Sequence, residues 1–333
     1  MGRVGLKDRS HWWGEMSERA SPIKIAIVGG AGAVGASAAY ALMISGLASE
    51  IVLVDVNARR AEGEAMDLMH GAAFVRPVTV RAGGYADCAS AQIVVVTAGA
   101  AQKPGETRLE LVRKNTEIFR GMIPQIAAAA PNAILLIVAN PVDILTYAAL
   151  RFSGFPAGRV VGSGTVLDTA RLRALVGQRL SIDPRSVHGY VVGEHGDSEV
   201  VLWSRATVAG LPISEFCAQR GSSCDAEMQD EIATQVLRAA YEIIERKGAT
   251  CYGIGLGIRN LIEAMLRDQN TVLTVSTLMT GQLDVADICL SLPCVVDRGG
   301  VEGVLVPAMS DAERAAYLRS ARVLQEIARA AGL

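Results

Sequence analysis

The residue types able to do chemistry sit in three short stretches of this 333-residue chain. GEHGDS sets His195 among glycines and acids, with Glu194 before it and Asp197 two positions later. GTVLDTARLR spaces Asp168 and Arg171 three residues apart, so on a helix they share a face. GAAQKPGETRLELVRKN is a loop punctuated by Gly99, Pro104 and Gly105 that carries Gln102 and ends at Arg108. Imidazole, carboxylate and guanidinium are the groups that move a proton and hold an organic anion. Alone, each stretch has a plainer meaning: a solvated histidine, a surface ion pair worth about 0–1 kcal/mol, an ordinary loop. What they do together depends on the elements that would bring them to one place.

From 22 to about 163, apolar runs (IKIAIV, EIVLVD, PVTVRA, QIVVVTA, ILLIVA, GRVVGS) alternate with stretches able to form helices. Strands that are apolar throughout belong to a parallel sheet covered on both faces, so the fold class expected here is α/β, a doubly wound parallel sheet. After residue 164 the rhythm changes. VLDTARLRALVGQRL is a helix, strands follow around 187 to 207, a long helical region runs from about 225 to 266, strands return near 272 to 298, and an amphipathic helix closes the chain from about 311 to 330. The expected organisation is an arm at 1–21 containing Trp12 and Trp13, a first domain at 22–163, and a mixed α+β domain at 164–333. With no long polar linker between the halves, their interface is a natural place for a ligand cleft.

KIAIVGGAGAVGAS, residues 24–37, is a buried strand that turns into glycine and then into a helix. At such a turn the first helical amides, around Ala33 and Val34, point outward, and only residues without bulk let a pyrophosphate reach them. Gly30, Gly32 and Gly35 match the dinucleotide spacing, while Gly29, Gly32 and Gly35 match a variant one residue longer. The next strand ends in Asp55, about twenty residues past Gly35, where a carboxylate accepts hydrogen bonds from the ribose hydroxyls and repels a 2′-phosphate. The expected cofactor is therefore NAD.

Lys plus Arg (32) nearly balance Asp plus Glu (34) with no basic run, which argues against a nucleic-acid or membrane partner and for a small molecule. The apolar stretch AILLIVANPVDILTYAAL is interrupted by Asn140, Pro141 and Asp143, too early for a membrane span. Six scattered cysteines without CxxC spacing suit a reducing, cytoplasmic setting better than a disulfide framework or a metal site.

In order and spacing, these stretches resemble the NAD-dependent L-lactate/L-malate dehydrogenase family from about 22 to 331, with NPVDILTY, SGTVLDTAR, GEHGDSE and KGAT as the most specific blocks. The loop QKPGETRLELV reads much like that of the bacterial L-lactate dehydrogenases in the family. The glycine turn, a residue longer than in most of those, is similar to that of many malate dehydrogenases. The resemblance implies a Rossmann domain and an enzyme exchanging a hydride between NADH and a 2-oxo acid. His195 is then the acid/base, with Asp168 orienting the ring and favouring its protonated form. Arg171 holds the substrate carboxylate by a two-pronged contact, and Arg108 polarises the carbonyl when its loop closes. Asn140 contacts substrate and nicotinamide, Thr250 of KGAT belongs to the substrate pocket, and Thr97 and Gly99 lie against the cofactor.

In the family the residue six before the loop arginine discriminates substrates, and malate dehydrogenases carry arginine there. Gln102 is neutral and would leave the second carboxylate of oxaloacetate unpaired, at a cost of several kcal/mol, so pyruvate and L-lactate are the expected pair. An L-malate dehydrogenase is the alternative, and a non-catalytic NAD-binding relative is a second. Arg173 lies two residues after Arg171, roughly 200 degrees around a helix. Arg173 and His188 match the positions that hold fructose 1,6-bisphosphate in activated bacterial members, which implies a phosphate site at a subunit interface. The family also implies a homotetramer.

Overall fold

A computed structural model describes residues 22–101 and 105–333. The expected arm at 1–21 and the loop residue Gln102 lie outside the described residues. The first half runs β1 (Lys24–Val28), α1 (Ala33–Ser45), β2 (Glu50–Val54), α2 (Ala58–His70), β3 (Thr79–Gly83), β4 (Ile93–Val96), α3 (Arg108–Ala129), β5 (Ile134–Ile137), α4 (Val142–Ser153) and β6 (Val160–Gly162). These six strands are parallel in the order β3-β2-β1-β4-β5-β6, the doubly wound arrangement. Their apolar side chains feed both faces. Ile25, Ile27, Ile51 and Leu53 pack with α1 on one side, and Ala26, Val28, Val52 and Val94 pack with α3 and α4 on the other.

The second half begins with α5 (Val166–Leu180), whose limits coincide with the helical stretch expected from sequence. Short strands β7 (Val187–His188), β8 (Val191–Val192), β9 (Val200–Val201), β10 (Thr207–Val208) and β11 (Leu211–Pro212) follow, then α6 (Ile213–Gln219), α7 (Ala226–Lys247) and α8 (Tyr252–Leu266). The chain ends with β12 (Thr271–Thr280), β13 (Ala286–Asp297), β14 (Gly300–Val304) and α9 (Asp311–Ala330). The long helical region read from the sequence is two helices, because Gly248 takes φ +88° and caps α7.

The long strands of this half do not make a sheet of their own. β12, β13 and β14 extend the parallel sheet as successive antiparallel neighbours, giving nine strands in the order β14-β13-β12-β6-β5-β4-β1-β2-β3. The junction pairs Ser276 of β12 with Gly162 of β6. A Cβ at Gly162 would meet the Thr146 hydroxyl and lie 2.8 Å from the Ser276 Cβ, so the seam closes only on glycine. The cysteine reading also needs correcting. Cys217 at the end of α6 and Cys224 before α7 form a disulfide across seven residues, a pairing that spacing alone did not reveal. Cys88, Cys251, Cys289 and Cys294 are free and buried.

Candidate active site

The glycine turn after β1 is built from four glycines that do different things. Gly29 takes φ +90°, and a Cβ there would lie 2.5 Å from the Ala98 amide nitrogen, so this position accepts only glycine. Gly35 sits where a Cβ would run into the Gly29 carbonyl, which lets α1 start directly against the turn. A Cβ at Gly32 would meet only the Gly29 carbonyl oxygen, at 3.3 Å, leaving its outer side open. The first glycine of each register seen in the sequence has its own reason: Gly29 supplies the left-handed turn, and Gly30 is excluded from carrying a side chain by Leu53.

No side chain caps α1, so the first-turn amides of Ala33, Val34 and Gly35 remain donors for an anion. Asp55, one residue past β2, accepts from the Ala31 amide at 3.1 Å and the Asn57 amide at 2.9 Å. Its carboxylate is thereby held at the mouth of the turn. The Thr97 hydroxyl donates toward the Val28 and Gly29 carbonyls, at 3.1 Å each, and ties β4 to the same turn. Gly99 follows it and is exposed. An uncapped helix start, a bulk-free turn and an acid at the end of the second strand fit a dinucleotide.

Beyond the C-terminal edge of the sheet lies a cavity of about 480 Å³ whose lining includes Arg108, Asn140, Asp168, Arg171, His195 and Glu199. Each arrives by a local rule. Thr107 caps α3 through a capping box with Glu110, fixing Arg108 at the first helical position. Asn140 follows β5, with its carbonyl held by Asn115 at 2.9 Å. Asp168 and Arg171 share one face of α5, the spacing anticipated from sequence.

Asp168 is 1% exposed and divides its two oxygens. Oδ2 meets His195 Nδ1 at 2.5 Å, and Oδ1 accepts from Arg171 Nη1 at 2.7 Å. The backbone N–H of His195 donates to Asp143 Oδ2 at 2.8 Å, anchoring the loop from below. Burial alone would lower the His195 pKa, but the Asp168 carboxylate overrides it and pushes the imidazole up to about 9, with Asp143 and Glu199 adding to the effect. Burial opposes ionisation of Asp168 too, yet the His195 and Arg171 charges hold its carboxyl below the usual range. Arg108 pairs with the buried Glu194 and lies 3.7 Å from Asp197 Oδ2.

Two acids here were not assigned from sequence. Asp143 was read from sequence as an interruption of an apolar run within NPVDILTY, without a role; it is fully buried, and burial pushes it up to about 6, with the His195 amide restraining the rise. Glu199 closes the GEHGDSE block, and one oxygen each of Asp168 and Glu199 and a ring nitrogen of His195 lie within 4.8 Å of one another. Both oxygens of Asp168 are already engaged, so the cluster reads as a charge network rather than a metal cage. Thr250 lies in the turn between α7 and α8 and does not line the cavity, whose α7 wall is Leu237, Ala240 and Tyr241. Arg173 and His188 line a separate cavity of about 200 Å³ with Thr169 and Asn260.

The chain matches two family models along almost its full length: lactate/malate dehydrogenase, NAD binding domain, over residues 23–162, and lactate/malate dehydrogenase, alpha/beta C-terminal domain, over 165–331. It is 50% identical over 304 residues to an L-lactate dehydrogenase of Thermoanaerobacter sp., covering 91% of this chain and 97% of that one. An L-lactate dehydrogenase of Gloeobacter violaceus is 52% identical over 304 residues, 91% of this chain and 92% of the relative. Among solved structures, the minor L-lactate dehydrogenase of Enterococcus mundtii in its ligands-bound form superposes with a TM-score of 0.89 at 43% identity, covering 92% of this chain and 98% of that one.

Proposed function

Since this chain belongs to the lactate/malate dehydrogenase family and carries its NAD-binding domain, we propose that it is an L-lactate dehydrogenase interconverting pyruvate and L-lactate. The observation that carries this reading is the Asp168 carboxylate shared between His195 and Arg171 at the wall of one cavity. A bound nicotinamide supplies or accepts the hydride at the substrate carbon. The rest is work for side chains. Arg171 has one nitrogen committed to Asp168, and the remaining donors of its fork take the substrate carboxylate, fixing which face of the carbonyl is presented. His195, held protonated by Asp168, gives its proton to the carbonyl oxygen, and Asp168 keeps the ring in the orientation that leaves Nε2 toward the cavity. Arg108 stabilises the negative charge that develops on that oxygen.

Gln102 supports pyruvate over oxaloacetate, because it offers no cation to a second carboxylate. The longer glycine turn favours L-malate dehydrogenase instead. One experiment separates them: the loss of NADH absorbance with pyruvate and with oxaloacetate in parallel. Turnover of pyruvate at least about a hundred-fold more efficient supports the reading, comparable turnover of both overturns it, and no turnover of either favours a non-catalytic relative.

Arg173 and His188, facing one cavity, support a regulatory phosphate site for fructose 1,6-bisphosphate. In this reading the enzyme works as a homotetramer in the cytoplasm. No helix among the described residues is long and apolar enough to cross a membrane.

A further inference from the structure

Glu199 stands against the substrate cavity with a buried Oε1 that has no hydrogen-bond partner among the described residues. The titratable and charged groups around it come from several elements: Asp168 and Arg171 from α5, His195 and Asp197 from the preceding loop, Arg108 from α3, and Tyr241 from α7. Both guanidiniums are already engaged, Arg171 by Asp168 and Arg108 by Glu194, and Tyr241 donates to Asp197. An ionised Glu199 would therefore draw on the same positive charge, His195 and the outer donors of Arg171, that an entering organic acid needs. Two anions cannot both be balanced there.

We propose that Glu199 is a charge gate on substrate binding: as a neutral acid it leaves the cations of the cavity to the carboxylate of a 2-hydroxy or 2-oxo acid, and as an anion it repels that carboxylate. The inference rests on the dehydrogenase reading above. Burial, reinforced by the neighbouring Asp168 charge, pushes Glu199 up to about 8, so the gate stands open at neutral pH and shuts in mild alkali. On this account an acid that binds above that pH restores the proton to Glu199 as it enters. The gate is distinct from His195. Loss of the imidazole proton favours lactate, which gives its hydroxyl proton to a neutral ring, whereas ionisation of Glu199 opposes lactate and pyruvate alike.

The test is the ratio of lactate KM in the native enzyme to that in Glu199→Gln, a variant with the shape of the protonated acid and no charge to gain. The ratio should stay near one at about pH 6.5 and climb by about an order of magnitude by about pH 9. A ratio that does not change with pH overturns the gate, since a purely structural role would shift KM equally at every pH. A second measurement needs no turnover. Infrared spectra of the native enzyme should contain a protonated-carboxyl band at about pH 7 that titrates away through about pH 8 and is missing from Glu199→Gln. Its absence from the native enzyme also overturns the proposal. If the band is present but lactate is never oxidised, the dehydrogenase reading fails and the buried proton stands.

Discussion

Helix α5 works on two sides that are built differently. Its inner side offers Asp168 and Arg171, each fixed by a short contact to a named partner, at 2.5 Å and 2.7 Å, in surroundings nearly closed to water. Its outer side offers Arg173, held among the described residues by long contacts of 3.4 Å to the Pro184 and Arg185 carbonyls, beside an exposed His188. The inner groups are positioned before any ligand arrives, which is what stabilising a transition state demands. Among the described residues the outer groups have no comparably short contact, which is the arrangement the proposed phosphate site would call for. If the proposed phosphate site is right, one helix carries chemistry on one side and regulation on the other, and the two sides should respond independently to substitution.

Breaking the inner side should have the largest effect. Asp168→Asn loses both the countercharge and the ring orientation, and should lower kcat/KM for pyruvate by about a thousand-fold in a steady-state assay with intact NADH binding. Arg171→Lys keeps the charge but not the fork, and should raise pyruvate KM by about 30- to 100-fold with a smaller change in kcat. The pH dependence sharpens the contrast further. Because the folded pKa of His195 is raised to about 9, kcat for pyruvate reduction, read at saturating pyruvate so that the Glu199 effect on KM drops out, should persist up to that pH and then fall, and in Asp168→Asn the fall should begin lower, toward the ordinary value near 6.5. On the outer side, Arg173→Gln should leave turnover without effector within about two-fold while abolishing any lowering of pyruvate KM by fructose 1,6-bisphosphate. A loss of basal turnover comparable to that of Arg171→Lys would show that the two sides are coupled after all.

The sheet, the glycine turn and α5 were legible because each follows a local pattern: apolar runs for β1 to β6, bulk-free residues at a strand-to-helix turn, and helical spacing from Val166 to Leu180. The match to both family models agrees with the resemblance carried by GEHGDSE and SGTVLDTAR. What escaped was long-range. That β12 joins β6 depends on Thr146 and Ser276 leaving room for nothing larger than Gly162, a fact no window of sequence contains. The bridge from Cys217 to Cys224 depends on how α6 turns back toward α7. Asp143 and Glu199 lie inside NPVDILTY and GEHGDSE, but those blocks gave them no role; their importance comes from burial beside His195, which composition does not record.

The pairing of Gly162 with Ser276 stitches the half that receives the dinucleotide to the half that holds the acid into one hydrogen-bonded sheet. Opening the molecule at that line would break main-chain ladder bonds rather than slide two surfaces apart. Amide exchange in β5, β6 and β12 should accordingly slow to a common, global rate, and both halves should melt in a single transition.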